Sequence, residues 1–535
     1  VNVLSINFNH DGSAAIVRDG IITGYVNTER FSRVKKHPGI REVDLAEVLD
    51  QSNLALRDVN LVQLLNLNTI DSPDIPLLHG SDLKETWPDF WLNGSFNQIR
   101  LVGETLKCEV LPGHHKYHAA LAALFSPFES GVSLAVDPVG AESYFFSPEA
   151  PLVRGKQIPM VSTRVYVLAS GELFGSGLLG AGKLMGLAPY GKASAVMDYS
   201  ALAKMGPREA FNRLREAAAR EMEIVWENGN ALNASLALRA QQFLEHELSV
   251  VLHNLREECL ERHFDLNLCL SGGTALNSTA NERCFSTSGF EKLYLHPACG
   301  DDGMAIGAGL WHWHVKLQQP KAKRCNREAM YSCRGYDHLV ESALENYSDR
   351  LKISEWREHL EIASLLNDGQ VIGWFQGPSE IGPRALGNRS ILADPRRANM
   401  KEYINSKIKC REGFRPFAPS ILFGHLNQYF DISESPFMLR IAPVKQANVP
   451  GITHVDGTSR PQSVRREDNP NYYDLIASFN QSTGVPLILN TSFNGRGEPI
   501  VETPGDAIEC MLKTGLDALV FPKFIARRAS GNVGL

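Results

Sequence analysis

The stretch Gly113-His114-His115-Lys116-Tyr117-His118-Ala119-Ala120 constrains this chain more than any other. Pro112-Gly113 opens it, and no Gly or Pro occurs between Gly113 and Pro127, so it reads as a helix that starts just after Gly113. His114 and His118 are four residues apart and share one helix face, their side chains about 5–6 Å apart, within reach of one metal ion. Further on, Val132 to Val136 is an apolar strand that carries Asp137 at its C-terminal tip. Beside the His pair that carboxylate completes a 2-His-1-carboxylate set.

The chain opens with an apolar strand (residues 2–8), a polar loop Asn9-His10-Asp11-Gly12-Ser13, a second strand (14–18), an Asp19-Gly20 hairpin turn and a third strand (21–26). Actin-like ATPase folds begin this way, with the first loop lying against nucleotide phosphates. Asp11 reads as a turn cap, and His10 as a candidate general base toward an alcohol. The basic run Glu29 to Pro38 is either a solvated face or an edge that meets phosphate. An amphipathic segment spans Glu42 to Asn53, and residues 64–100 are loop-rich and aromatic. Gly171, Gly175, Gly177 and Gly180 lead into Gly182-Lys183, where backbone N–H groups and an ammonium can meet a phosphate. Residues 206–263 read as helical scaffold. Leu266 to Ser271 is a buried strand, followed by the Gly272-Gly273 turn and a helix start at Asn277, a favourable place for an anion. Asp301 can be a fourth metal ligand, while Asp302 can cap the next helix.

Residues 318–324 form a polar linker, and a new domain begins near residue 350. From there the chain keeps placing cations in Gly/Pro-bounded loops: Arg384, Lys407, Arg415, Arg460 and Arg496. Guanidinium forks match phosphate and carboxylate oxygens. Taken singly each is a surface ion pair; together, beside Gly, Asn and Ser, they point to an anionic small-molecule pocket. The net charge of −6 gives no general surface for nucleic acid or membrane. The nine scattered cysteines, without a CxxC, suit a reducing compartment. With no basic leader and no apolar run of membrane-spanning length, the chain reads as cytoplasmic.

In order and combined, HDGSAA (10–15), HHKYHAA (114–120), VDPVGAE (136–142), GKLMGLAPYG (182–191), SGGTALN (271–277), EIGPRALGNRS (380–390), FRPFAPS (414–420), SRPQ (459–462) and LNTSFNGRGEPI (489–500) resemble the O-carbamoyltransferases of antibiotic and nodulation-factor biosynthesis. That resemblance implies an α/β protein of two domains. Residues 1–345 would be actin-like, a duplicated RNase H-like fold similar to TsaD, and would perform carbamoyl transfer. Residues 346–535 would be YrdC-like and would form carbamoyladenylate. The implied co-substrates are carbamoyl phosphate and ATP (with Mg2+), and the implied acceptor is a hydroxylated small molecule. The implied metal is Fe2+ at His114, His118, Asp137 and Asp301. The expected catalytic residues are His10, Asp11, Arg384 and Lys407. The N-terminal nucleotide set is Asp137, Gly140, Lys183, Gly272, Gly273 and Asn277. The C-terminal set is Arg384, Lys407, Arg415, Arg460, Asn490, Ser492 and Arg496. Lys116 and Tyr117 stand where relatives carry smaller residues and are expected to face outward; the acceptor pocket is expected to lie partly in residues 64–100. The acceptor's identity and an oligomeric state stay open. A tRNA threonylcarbamoyl transferase is the alternative reading, and it needs a basic RNA-binding face that this acidic chain does not advertise.

Overall fold

The computed structural model describes residues 1–66, 91–92, 97–221, 223–227 and 230–529. Most of residues 64–100, where part of the acceptor pocket was expected, lies outside the described residues. The chain is mixed α/β, with two N-terminal sheets and one larger C-terminal sheet.

The first sheet contains β1 (Asn2–Asn7), β2 (Ser13–Arg18), β3 (Ile21–Asn27), β4 (Leu61–Leu65), β5 (Trp91–Leu92), β6 (Gln98–Leu101) and β7 (Glu104–Leu111), in the order β3-β2-β1-β4-β7-β6-β5. The Asp19-Gly20 turn joins β2 to β3 with both residues at positive φ, as a tight hairpin requires. The second sheet contains β8 (Gly131–Asp137), β9 (Gly140–Phe146), β10 (Val153–Ile158), β11 (Asn267–Ser271) and β12 (Lys292–Leu295), in the order β10-β9-β8-β11-β12. Each sheet has its first strand in the middle, an antiparallel meander on one side and two parallel strands on the other. One topology thus occurs twice. In such sheets ligands gather beyond the C-terminal ends of the central strands, which here are the Asn7–Asp11 loop after β1 and Asp137 at the end of β8.

Helix His115–Phe125 is buried along nearly its whole length. Tyr117 does not face outward as expected: it is fully buried and meets the Trp311 ring edge-on at 5.9 Å. The reason is a second helix, Met304–Trp311, laid along the face that a sequence pattern alone leaves open. Lys116 follows that ring, with Nζ 4.9 Å from the Trp311 centroid. The stretch 206–263 is helical, as read, except for a β-hairpin of Ile224–Glu227 and Asn230–Asn233 set between helices Pro207–Glu221 and Ala234–Glu261.

The C-terminal sheet contains β13 (Leu351–Glu355), β14 (Ile372–Phe375), β15 (Arg389–Ala393), β16 (Ala418–Leu422), β17 (Gln462–Val464), β18 (Leu487–Ser492), β19 (Ala518–Val520) and β20 (Phe524–Arg528), in the order β13-β20-β19-β14-β15-β18-β16-β17. Its own core runs from Tyr336 to Ala526. Ile381, Leu386, Phe414 and Ala418 instead join the core of the second N-terminal sheet, so the two halves share apolar packing. At Gly382 (φ +93) a Cβ would come within 2.4 Å of the Pro297 carbonyl, so only glycine lets this loop lie so close to the N-terminal half. Among the described residues no single helix is long and apolar enough to cross a membrane.

His296 is fully buried against Phe125, its Nδ1 accepting the Ala298 N–H at 3.1 Å. Burial and the nearby Arg324 charge push its imidazolium down to about 3, from 6.5. Between those values the unfolded chain takes up a proton that the folded one refuses, so folding stability falls as pH drops through this window. His296→Asn keeps an acceptor for Ala298 and removes the titration. In urea unfolding at pH 7 and pH 5, the variant is expected to lose less stability than the wild type, by up to about 1.4 kcal/mol per pH unit. Equal losses would contradict this assignment.

Candidate active site

Two clusters of opposite electrostatic character meet at the junction of the halves. The first is built from His114, His118, Asp137 and Asp301, whose donor atoms all lie within 4.8 Å of one another. His114 stands at the N-cap of helix His115–Phe125, His118 sits in its first turns, Asp137 ends β8, and Asp301 opens the turn before helix Met304–Trp311. His114 Nε2 is 3.0 Å from Asp137 Oδ2, 3.3 Å from Asp301 Oδ1 and 3.1 Å from His118 Nε2. His118 Nε2 is 3.1 Å from Asp301 Oδ1 and 3.6 Å from Asp137 Oδ2. A cation about 2.0–2.2 Å from each donor would set neighbouring donors about 2.9–3.5 Å apart. The cage therefore fits a divalent ion. Asp137 Oδ2 is buried with no hydrogen-bond partner, as an oxygen reserved for a cation would be.

The charges show how tightly the cage is coupled. Burial alone would push the Asp137 carboxyl up, yet the imidazoles of His118 and His114 hold it below the usual range. Burial would lower His114, and the carboxylates Asp301 and Asp137 instead raise it well above its ordinary value. Two imidazoles and two carboxylates converging on one point is an arrangement that a cation relieves.

His10 lies at the rim, with Nε2 3.7 Å from Asp301 Oδ2 and Nδ1 3.0 Å from Asp11 Oδ2. Asp11 pairs with Lys36 at 2.7 Å. Asn9, which the sequence pattern did not single out, donates its amide N–H to Asp301 Oδ2. Asp302 caps no helix: its carbonyl accepts the Tyr25 hydroxyl, and Gly303 holds the N-cap position.

The expected nucleotide residues divide. Gly273 donates its N–H to Asp137 Oδ1 at 2.7 Å, and Gly272 precedes it at the end of β11, so both adjoin the cage. Gly140 opens β9 three residues after Asp137. Asn277 is different. Its Oδ1 caps the next helix at Ala280 N, and its Nδ2 donates to Gln241 and the Tyr166 hydroxyl, which leaves little to offer a ligand. Lys183 is not on a glycine loop. Gly177 to Leu187 is a helix, and Gly177 and Gly180 serve packing: a Cβ on Gly180 would come within 2.3 Å of Ser170 Oγ on the preceding helix. Lys183 instead reaches into the other half and pairs with Glu412 at 2.6 Å.

The second cluster is cationic. Arg384 sits between Ile381 and Leu386, and its Nη2 donates to the Leu276 carbonyl at 3.3 Å, beside the Gly272-Gly273 turn. Its Nε is buried without a partner, as is that of Arg460. Burial holds Arg460 well below its ordinary range, and so do the guanidiniums of Arg384, Arg411 and Arg415. Burial and Arg415 bring Arg384 down to about 10. Arg415 meets Glu412 at 3.6 Å. Four guanidiniums crowd together, beyond what Glu412 offsets, which is the signature of an anion site. Asn490 lies beneath, donating to the Ala385 carbonyl and Ser420 Oγ while its Oδ1 is buried and unpartnered.

Two expected cations lie elsewhere. Lys407 and Arg496 are exposed. Lys409 is the buried lysine, donating to Ser492 and to Asn494 Oδ1 at 2.6 Å. Residues Ile404–Ile408 form a π-helical turn, which carries an extra residue and changes which lysine points inward. Arg411, also missed, donates to Asn405 Oδ1 at 2.8 Å and lies over the Phe417 ring. Both residues lie between Lys407 and Arg415 in the chain, but their direction depends on the turn.

Known proteins match this frame. Residues 84–310 match the family described as carbamoyltransferase N-terminus, and residues 363–528 match carbamoyltransferase C-terminus. The nodulation protein NolNO of Sinorhizobium fredii is 33% identical over 98% of this chain and 80% of its own length. The nodulation protein NolO of Bradyrhizobium diazoefficiens is 36% identical over 78% of this chain and 79% of its own. The 3'-hydroxymethylcephem-O-carbamoyltransferase of Amycolatopsis lactamdurans is 32% identical over 49% of each chain. Among solved structures, the 2-hydroxyisocaproyl-CoA dehydratase activator of Clostridium difficile is 12% identical at a TM-score of 0.35, over 61% of this chain and 99% of that one, too loose a likeness to bear on the site. This chain is a carbamoyltransferase, a member of the O-carbamoyltransferase family.

Lys407→Ala, which removes an exposed ammonium, is expected to leave the carbamoyltransferase activity within about twofold of wild type. Lys409→Ala is expected to lower it about 100-fold or more, because its ammonium fixes Ser492 and Asn494 beside the cationic cluster, the scale of disturbing a preorganised donor set. Circular dichroism on both variants separates this from unfolding, and equal rates would contradict the placement.

Proposed function

We propose that the chain is an ATP-dependent O-carbamoyltransferase with two reaction centres. The C-terminal half, residues 346–535 and YrdC-like, takes carbamoyl phosphate and ATP. Water cleaves carbamoyl phosphate to carbamate and phosphate, and a carbamate oxygen then attacks the α-phosphorus of ATP, giving carbamoyladenylate as pyrophosphate leaves. The N-terminal half, residues 1–345, is read as actin-like, a duplicated RNase H-like unit, and its repeated strand order supports that reading. There an alcohol attacks the carbamoyl carbon, the C–O bond to AMP breaks, and a carbamate ester and AMP remain. A divalent ion in the four-donor cage, Fe2+ on the family resemblance, would supply Lewis acidity toward a phosphate oxygen.

The protein's own groups account for the rest. Bringing two polyanions together costs Coulomb repulsion, and Arg384, Arg411, Arg415 and Arg460 offset it. Asn490 presents its free amide oxygen as an acceptor from an N–H of the substrate. His10, on the Asp301 side of the cage and oriented by Asp11, is placed to take the proton of the alcohol. The observation that carries this reading is Arg384: one guanidinium sits in the cationic cluster and bonds Leu276 at the edge of the cage. Such adjacency suits an intermediate that water would destroy. The acceptor is read as a small natural-product alcohol; the cephem enzyme named above acts on a hydroxymethyl group, and that class is the first to try.

With ATP, carbamoyl phosphate and a library of hydroxylated acceptors, AMP and pyrophosphate are expected to form in equal amounts with the carbamoylated product. Formation of ADP alone, or product without carbamoyl phosphate, would overturn the assignment.

A further inference from the structure

The duplicated histidine of the His114-His115 pair has no part in the cage. It is not among the four donors, yet it is buried and its Nε2 lies 3.5 Å from Asp137 Oδ2. Neither atom has a hydrogen-bond partner. Asp137 Oδ1 is already fixed by the Gly273 N–H at 2.7 Å. Oδ2, the oxygen that faces His114 at 3.0 Å, is the one left to swing.

The surroundings direct the proton of His115 toward that oxygen. On its other side Nδ1 faces Glu142 Oε2 at 3.7 Å, too far for a hydrogen bond. Glu142 is already served: Tyr144 donates its hydroxyl at 2.6 Å, and Arg154 pairs with the second oxygen. The β8–β9 register sets Glu142 opposite Ala135, so Glu142 and Asp137 share one sheet face beneath the His115 ring. With a donor already on each oxygen and 3.7 Å to the ring, Glu142 is the weaker acceptor for the imidazole N–H. The Nε2–H tautomer, inferred from this network, then points its proton at the nearer and unpartnered acceptor, Asp137 Oδ2.

We propose that His115 is a positioning residue: its Nε2–H holds the metal-facing oxygen of Asp137 in the cage. This rests on the reading of His114, His118, Asp137 and Asp301 as metal ligands. A carboxylate pinned at both oxygens, by Gly273 on one and His115 on the other, presents a fixed lone pair to the ion instead of searching rotamers. Partners of this kind behind a metal ligand typically set affinity over about 10–100-fold without changing how many ions bind.

The test uses the full chain, stripped of metal and titrated with Co2+ against a chelating indicator. Wild type is expected to bind one Co2+ per chain and His118→Ala none. His115→Leu, which cannot donate, is expected to keep one Co2+ per chain and bind it about 10–100-fold more weakly, with altered visible Co2+ bands. His115→Gln, whose side-chain amide can place an N–H near the Nε2 position, is expected to recover most of that loss. Unchanged affinity in His115→Leu, or no recovery in His115→Gln, would overturn the proposal. Complete loss of binding in both, as in His118→Ala, would overturn it too and make His115 a ligand. If His115→Leu fails to fold, His115→Phe keeps the ring volume without the donor and replaces it. Failure of the wild type to bind Co2+ removes the cage reading itself, an outcome distinct from the others.

Discussion

Crowding of like and unlike charge at one junction is the constraint on which this structure depends. Four guanidiniums repel one another on the C-terminal side, while two carboxylates and two imidazoles are packed together on the N-terminal side. The guanidiniums repel one another without an anion, whereas the imidazoles and carboxylates compensate one another and can exchange their protons for a cation. Buried cations lose hydration, and here they lie close enough to depress one another. The fold holds them there through apolar packing. Ile381 and Leu386, flanking Arg384, are buried in the core of the other half. Glu380 Oε1 accepts the N–H groups of Leu386, Asn388 and Arg389 at 2.8, 2.8 and 3.0 Å, which closes the loop on itself. Arg30, from the N-terminal half, donates to the Gly382 carbonyl at 2.8 Å and fastens the same loop from outside.

On the proposed chemistry, this loop gives the two halves a reason to share one chain. A mixed anhydride of carbamate and AMP is short-lived in water, and separate proteins would have to pass it through solvent. A loop that belongs to one half by sequence and to the other half's core by packing removes that distance. Lys183 and Glu412 make a second tie, again with one partner from each half. Both ties join the two halves by packing and by charge.

Much of this was legible in the sequence, because the cage rests on local rules. A helix start with His at spacing four and a strand that ends on Asp can be read from periodicity and turn residues, and the structure brings those donors together with Asp301. The Asp19-Gly20 hairpin and the β1–β2–β3 meander were equally local. What failed depended on neighbours far away in sequence. Tyr117 looked exposed because nothing local announces that helix Met304–Trp311 covers it. Lys183 looked like a phosphate ligand because glycines that let two helices touch resemble glycines that let a phosphate approach. Lys407 is exposed and Lys409 buried because of a π-helical turn, which is invisible to a 3.6-residue count. Asn277 looked available because a capping role and a ligand role use the same side-chain atoms.

The division of labour between the halves is the central claim, and trapping the intermediate tests it most directly. Rapid-quench mass spectrometry of His118→Ala, supplied with ATP, labelled carbamoyl phosphate and an accepted alcohol, would follow carbamoyladenylate and product together. Adenylate or its breakdown to AMP at near wild-type rate, with no carbamoylated alcohol, is the expected result. An enzyme that makes neither species, or one that still carbamoylates the alcohol at wild-type rate, would contradict it.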